Sequence, residues 1–238
     1  MSDAASRRLI AALDVPGRTE ALRAVTELSG HVGLFKIGLE LFVSEGPRLV
    51  EEIRGRGERV FLDLKLHDIP NTVRGAVRSA CKLGVQMLTV HASGGSEMLR
   101  AACREAESSA AAPLLLAVTA LTSLSEKEAR KIGVGDTVQQ WVERLAAMAE
   151  ECGIGGLVAS SIELPGLRTR FGDSLQFVIP GIRPAGADVQ DQSRTAAPAE
   201  AIRAGASYLV VGRPILQARE PAKAADAIAD EIRQALLA

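Results

Sequence analysis

Aromatic residues are scarce in this chain of 238 residues, which has one tryptophan, one tyrosine and five phenylalanines. Proteins that bind single-stranded nucleic acid stack its bases on aromatic side chains, so the scarcity argues against that class. An excess of one charge is missing too, because 28 lysines and arginines are balanced by 29 aspartates and glutamates. This balance gives no electrostatic reason to expect nucleic acid or an anionic membrane as a partner.

Cysteine and histidine are too few and too dispersed to indicate a disulfide framework or a metal site. Cys81, Cys103 and Cys152 form no Cys-x-x-Cys pair. We interpret them as small buried apolar residues. The three histidines show no His-x-x-x-His spacing. No metal is therefore predicted.

Long apolar runs are absent, although 47% of the residues are hydrophobic. A membrane-spanning helix needs about 18 consecutive apolar residues, and no segment approaches that length. The first eight residues contain no apolar core of a signal peptide, so we expect a soluble protein in the cytoplasm. Size alone allows two small domains or one (β/α)₈ barrel, which takes about 250 residues.

Short apolar runs alternate with helical patterns along the whole chain. No run is followed by a hairpin turn, so the pattern predicts a parallel sheet, and eight strand–helix units predict a closed (β/α)₈ TIM barrel. No linker or change of composition divides the chain, and we expect residues 1–238 to form a single catalytic domain. The predicted strands are 9–13, 34–37, 60–64, 87–90, 114–118, 156–159, 177–179 and 208–211.

The third predicted strand carries an unusual set of charges. Asp63 and Lys65 lie on one face of the strand, while Leu62 and Leu64 lie on the other, and Asp68 follows shortly after. If the leucines pack against helices, the two charges face the middle of the barrel, where ionised groups are costly unless they are paired. Active sites often contain such groups, but an ordinary solvated ion pair at the end of a strand remains an alternative.

Polar residues also follow the other predicted strands, at the end of the barrel where active sites of this fold lie. Each one alone has a structural explanation, such as a helix cap or a turn, and for His91 we favour a satisfied core histidine. Their convergence at one end of the barrel is what favours a site. The residues are Asp14, Lys36, Asp63, Lys65, His91, Thr119, Ser160, Pro180, Gly212 and Arg213.

The last two strands lead into glycine and arginine residues that suit a phosphate group. Gly181 precedes Arg183, and Gly212 precedes Arg213, at the position where barrel enzymes often bind phosphate. An arginine fork donates paired hydrogen bonds to a phosphate, although turn glycines beside surface arginines are the alternative. The polar segment 184–198, which includes Gln192, is predicted to be a lid over the ligand.

The motif Asp63-x-Lys65-x-x-Asp68-Ile-Pro-Asn-Thr72 resembles the signature of the orotidine 5′-phosphate decarboxylase family. The resemblance covers nearly the whole chain, because segments 12–14, 35–38, 90–95, 118–123, 180–184 and 211–215 also follow the family's order and spacing. The Asp-x-Lys-x-x-Asp core alone is shared with sister enzymes that act on sugar phosphates. The Asp-Ile-Pro-Asn-Thr extension and the two glycine-arginine ends make the resemblance more specific.

The resemblance implies a cofactor-free, metal-free homodimer that converts orotidine 5′-monophosphate to uridine 5′-monophosphate. Lys65 would stabilise the C6 carbanion and donate the proton that replaces CO₂, while Asp63 would lie near the substrate carboxylate. The implied charged network is Lys36, Asp63, Lys65 and Asp68, with Asp68 and Thr72 reaching the partner's site. The implied substrate-binding residues are Asp14 and Lys36 at the ribose, Thr122 and Ser160 near ribose or pyrimidine, Pro180 and Arg183 after the seventh strand, and Gln192, Gly212 and Arg213 at the phosphate.

Two other functions are compatible with such a barrel. The sister enzymes carry a metal-binding glutamate where strand two ends, and here Lys36 stands at that position, where its charge would repel Mg²⁺. A catalytically silent barrel that binds a phosphorylated metabolite is the other alternative. It would have no need for Asp63, Lys65 and Asp68 together.

Overall fold

The computed structural model describes residues 3–184 and 195–237. Its eight strands are all parallel to their neighbours and close into a barrel in sequence order, with β8 paired to β1. This arrangement confirms the predicted (β/α)₈ barrel, and each strand lies within two residues of its predicted bounds. The strands are β1 (Leu9–Ala12), β2 (Leu34–Gly38), β3 (Val60–Leu66), β4 (Met87–His91), β5 (Leu114–Val118), β6 (Gly156–Val158), β7 (Gln176–Ile179) and β8 (Tyr208–Val211).

The helices pack around the outside of the barrel, and none that is described is long and apolar enough to cross a membrane. Short 3₁₀ helices lie at Ser6–Arg8 and Ala92–Gly94. The α-helices are α1 (Arg18–Leu28), α2 (Leu39–Glu45), α3 (Pro47–Gly55), α4 (Pro70–Lys82), α5 (Gly95–Glu107), α6 (Glu126–Lys131), α7 (Val138–Glu151), α8 (Leu164–Phe171), α9 (Pro198–Arg203), α10 (Arg213–Leu216) and α11 (Pro221–Leu237).

Two connections differ from the sequence-based expectation. One helix was expected between β2 and β3, but Gly46, at a φ of 67°, ends α2, and Pro47 begins α3. One helix was also expected between β5 and β6, but the short helix α6 precedes α7, and Ser125 caps α6 by accepting a hydrogen bond from the amide of Glu128. Both features follow from local residues, namely a Gly-Pro pair and a serine cap.

The apolar core has two layers that are separated by the sheet. The larger layer lies between strands and helices and includes Leu62 of β3. The smaller layer fills the barrel interior and includes Phe61 of the same strand, together with Ile10, Leu34 and Val178. Because side chains alternate across a strand, Asp63 and Lys65 continue the inward face that begins with Phe61.

Candidate active site

A cavity of about 220 Å³ opens at the carboxyl ends of the strands. Its floor is the top of the interior apolar layer, where Phe61, Val178 and Val210 line it. Nine of the residues predicted for the site line this cavity: Asp14, Lys36, Asp63, Lys65, Thr122, Pro180, Arg183, Gly212 and Arg213. The predicted Gln192, like most of the proposed lid, lies outside the described residues.

Four charged side chains form an alternating chain along one wall. Nζ of Lys36 lies 3.0 Å from Oδ1 of Asp14 and 4.0 Å from Oδ2 of Asp63, and Nζ of Lys65 lies 2.8 Å from the same Oδ2. The Lys36 and Asp63 side chains are only 12% and 13% exposed, whereas Asp14 is more than half exposed. Two anions alternate with two cations, so each buried charge has a partner of opposite sign, as burial requires.

The backbone of Lys65 has an uncommon conformation. Its φ is 50°, and no other described residue except glycine has a positive φ. The pairing of β3 with β4 shifts at this point, because Leu62 pairs with Leu88 but the next paired residues are Leu66 and Val90. An interval of four residues along β3 therefore lies opposite an interval of two residues along β4. This mismatch defines a β-bulge that contains Asp63 and Lys65. Backbone strain of this kind is often found at functional sites.

Thr89 of β4 supports this bulge, and sequence reasoning missed it. Its side chain is fully buried, accepts a hydrogen bond from the Lys65 amide at 2.8 Å, and donates one to Oδ1 of Asp63 at 2.9 Å. A polar residue inside an otherwise apolar strand, Met-Leu-Thr-Val, was the signal that could have drawn attention to it. Buried hydroxyls need partners, and these partners belong to the charged network.

The adjoining wall is formed by the ends of β7 and β8, and β8 is paired with β1. Pro180, Gly181 and Arg183 follow β7, and Gly212 and Arg213 follow β8. Gly181 has a φ of 77°, a conformation that favours glycine. A Cβ on Gly212 would lie 3.1 Å from Oδ2 of Asp14, so the absence of a side chain lets Asp14 approach the backbone. Two guanidinium groups on this wall suit an anionic part of a ligand.

Two predicted polar residues do not line the cavity. Ser160 is buried, and its hydroxyl and amide both donate to the carboxylate of Glu163. The Thr119 hydroxyl lies 3.5 Å from the carbonyl oxygen of Val158 in the sheet. Thr119 is therefore part of the barrel wall rather than of the site, and Ser160 is held by its own loop.

Asp68 and Thr72 also lie outside the cavity of their own chain. Both residues are exposed, and Oδ1 of Asp68 accepts a hydrogen bond from the Ile69 amide at 2.6 Å. Ile69 itself is 66% exposed, which is unusual for a large apolar side chain next to a charged site. This segment therefore presents its acid and its isoleucine outward.

Two histidines stack beside the charged network. The rings of His67 and His91 lie 5.2 Å apart at an angle of 21°, and Nδ1 of His91 is hydrogen-bonded to the Ser93 hydroxyl at 2.8 Å. Burial lowers the pKa of His91, and the nearby His67 and Lys65 lower it further. Both effects favour the uncharged ring of His91, which is half-buried and has a hydrogen-bond partner in Ser93.

Neither cysteines nor acidic residues form a metal centre in the described parts of the chain. Within residues 3–184 and 195–237, no group of three or more His, Cys, Asp or Glu side chains has the arrangement of a metal site. The three cysteines are free and buried. Lys65 and its carboxylate partner Asp63 line the cavity together with Lys36, Arg183 and Arg213.

Comparisons with known proteins show what the chain is similar to over most of its length. A family model described as the orotidine 5'-phosphate decarboxylase / HUMPS family matches residues 7–228. Two proteins named orotidine 5'-phosphate decarboxylase are similar over nearly their whole lengths. The one from Moorella thermoacetica is 49% identical over 234 residues, which cover 96% of this chain and 93% of the relative. The one from Syntrophomonas wolfei is 47% identical over 237 residues, which cover 97% and 99%.

A solved structure is similar as well. The crystal structure of orotidine 5'-phosphate decarboxylase from Lactobacillus acidophilus matches with a TM-score of 0.86 at 37% identity, covering 95% of this chain and 99% of that one. These matches extend over almost the entire length of the chain. The chain therefore belongs to the orotidine 5'-phosphate decarboxylase / HUMPS family.

Proposed function

We propose that this chain decarboxylates orotidine 5′-monophosphate to uridine 5′-monophosphate in pyrimidine biosynthesis, and that it acts in the cytoplasm. One observation supports the chemistry most directly. The Lys65 ammonium lies 2.8 Å from Asp63 at the rim of a cavity whose floor is apolar. In such surroundings a fixed cation stabilises a developing anion more strongly than it would in water.

The reaction needs a group that stabilises a carbanion and then protonates it. When the bond between C6 and the carboxylate carbon breaks, CO₂ leaves and the electron pair stays on C6, orthogonal to the ring's π system. Lys65 offers the nearby positive charge and the proton that C6 takes up, after which solvent reprotonates its amine. Asp63 accepts the Lys65 hydrogen bond in the resting site and would lie near the substrate carboxylate. The proposal involves no cofactor.

The rest of the nucleotide fits the remaining walls. Asp14 and Lys36 offer an acceptor and a donor to ribose hydroxyls, and Thr122 lines the same cavity. Arg183, Gly212 and Arg213 lie on the wall formed by β7 and β8, and strand order puts β7 across the barrel from β3. A phosphate bound there lies away from C6, so its binding energy can align the ring against Lys65.

We also propose that the working form is a homodimer in which Asp68 and Thr72 enter the partner's site. Two observations support this. Both residues are exposed and do not line their own cavity. Large apolar side chains are exposed near the same end of the barrel, with Leu39 at 52% and Ile69 at 66%. Apolar patches of this kind are typical of surfaces that a partner covers.

The direct test is the loss of orotidine monophosphate absorbance in the presence of purified protein, with and without a chelator. We expect turnover that the chelator does not change. Metal-dependent action on a sugar phosphate would instead support the sister-enzyme alternative. Binding of uridine monophosphate without any turnover of orotidine monophosphate would support the silent barrel.

A further inference from the structure

A single buried hydroxyl joins the two central charged residues of the site. Thr89 is fully buried between Leu88 and Val90, which are equally buried. Its Oγ1 lies 2.8 Å from the Lys65 amide and 2.9 Å from Oδ1 of Asp63. The other carboxylate oxygen, Oδ2, accepts the hydrogen bond from Nζ of Lys65 at 2.8 Å. The three hydrogen bonds form a closed ring through Asp63, Lys65 and Thr89.

The direction of each hydrogen bond in this ring follows from the chemistry of the groups. A backbone amide can only donate, so the Thr89 hydroxyl must accept from Lys65. The hydroxyl has one proton, and the carboxylate of Asp63 is the acceptor available for it. Thr89 therefore keeps Oδ1 occupied and leaves Oδ2 to face the Lys65 ammonium.

The same hydroxyl replaces backbone pairing that the bulge has removed. Between the pairs Leu62–Leu88 and Leu66–Val90, three residues of β3 lie opposite Thr89 alone. Lys65 lies in this interval at a φ of 50°, a conformation that residues with a Cβ adopt only when their surroundings enforce it. The Lys65 amide donates its hydrogen bond to the Thr89 side chain and not to a backbone carbonyl of β4.

We propose that Thr89 is a positioning residue for the decarboxylation. It holds the Asp63 carboxylate and the strained Lys65 backbone so that the Lys65 ammonium points into the cavity. This inference rests on the proposed function. Thr89 does not line the cavity and so does not contact the substrate. Its effect passes through Asp63 and Lys65, and a displacement of about 1 Å in such groups can cost roughly 100-fold in rate.

Three variants separate positioning from packing. Thr89→Val keeps the shape and removes the hydroxyl, Thr89→Ser keeps the hydroxyl, and Thr119→Val is a matched control on a threonine that is 1% exposed and outside the site. We expect Thr89→Val to lower kcat roughly 10- to 100-fold while KM and the affinity for uridine monophosphate stay within about threefold. Thr89→Ser and Thr119→Val should keep kcat within about threefold of the parent value.

The positioning role is wrong if Thr89→Val has the same kcat as Thr119→Val, or if Thr89→Ser loses as much activity as Thr89→Val. If Thr89→Val does not fold, Thr89→Ala takes its place, because it also removes the hydroxyl and is subject to the same criteria.

A second readout does not depend on catalysis. The Lys65 amide should exchange its hydrogen faster in Thr89→Val than in the parent protein, as followed by NMR, and Thr89→Ser and Thr119→Val should leave its protection unchanged. Unchanged protection in Thr89→Val would overturn the proposal. If the parent protein fails to turn over orotidine monophosphate, the proposed function is wrong, whereas the amide measurement still decides whether Thr89 holds Lys65.

Discussion

Nζ of Lys36 lies 3.0 Å from Oδ1 of Asp14, so an ion pair joins the ends of β1 and β2 at the mouth of the barrel. The two side chains differ in solvent exposure, since Lys36 is 12% exposed and Asp14 is 58% exposed. Lys36 also lies 4.0 Å from Asp63, and it is therefore the cation between the two acids. Its removal would leave the more buried acid, Asp63, with Lys65 as its remaining charged partner on this wall.

The first prediction concerns this central cation. Lys36→Met keeps much of the side-chain length and removes the charge, and we expect kcat/KM for orotidine monophosphate to fall by about 100-fold or more, because one partner of a partly buried charge network is lost. Lys223→Met is the control, since Lys223 pairs with Glu220 on the surface and is 74% exposed. It should change kcat/KM by less than about twofold. Equal effects of the two substitutions would contradict the assignment of Lys36.

The second prediction tests the shared site. Lys65→Ala and Asp68→Ala should each be nearly inactive as pure proteins. When the two are denatured together and refolded as a mixture, half of the dimers contain one chain of each kind, and one of the two sites in such a dimer has both residues intact. Activity should therefore recover to about a quarter of the parent value. No recovery, with mixed dimers demonstrated by mass spectrometry, would contradict the exchange of Asp68 between subunits.

The third prediction concerns the thiols. Burial raises the pKa of Cys103 to about 11 and also raises the pKa of Cys81 and Cys152. At pH 8 roughly one Cys103 thiol in a thousand is ionised, and the thiolate is the reactive form. Native protein should therefore react slowly with iodoacetamide, whereas all three thiols should react rapidly in denaturant. Rapid labelling of native Cys103, located by peptide mass spectrometry, would be inconsistent with its burial.

The fourth prediction concerns stability at low pH. Asp3 accepts a hydrogen bond from the Ser6 amide at 2.9 Å and pairs with Arg233 of α11, and these contacts lower its pKa to about 2. A carboxyl whose pKa is lower in the folded state stabilises the fold above its unfolded pKa, and this contribution is lost as pH falls through the folded pKa.

Asp3→Asn should accordingly lower the free energy of unfolding at pH 7, by less than about 1 kcal/mol because the pair is largely exposed and screened by solvent. The difference should shrink as pH falls from about 4 to about 2, and denaturant unfolding over that range measures it. Glu27→Gln on the exposed face of α1 is the control. A difference that persists unchanged at pH 2 would show that the charge of Asp3 is not its cause.

The sequence was sufficient to predict the barrel because its strands are short buried runs, such as 114–118, with helical patterns between them. The sequence was also sufficient to predict those cavity residues that lie at strand ends. Parallel strands of a barrel bring these ends together whatever their distance along the chain. The inward direction of Asp63 and Lys65 followed from simple alternation along β3.

The features that escaped prediction depend on contacts between strands. The bulge at Lys65 arises from the register of β3 against β4, and nothing local in Asp63-Leu-Lys65 indicates a φ of 50°. The role of Thr89 follows from that register as well. Ser160 was predicted to belong to the site because it follows the sixth strand. Its hydroxyl and amide instead donate to the carboxylate of Glu163, three residues later, which keeps Ser160 in its own loop.

The most direct measurement compares the parent protein with Lys65→Ala in one experiment, in the presence of chelator. Orotidine monophosphate turnover is followed by absorbance, and uridine monophosphate binding is followed by calorimetry. We expect the parent to turn over substrate and the variant to lose at least about 10⁴-fold in kcat, because the charge that stabilises the carbanion and the proton donor are both removed, while product affinity stays within about tenfold. Near-normal turnover by Lys65→Ala would contradict the account.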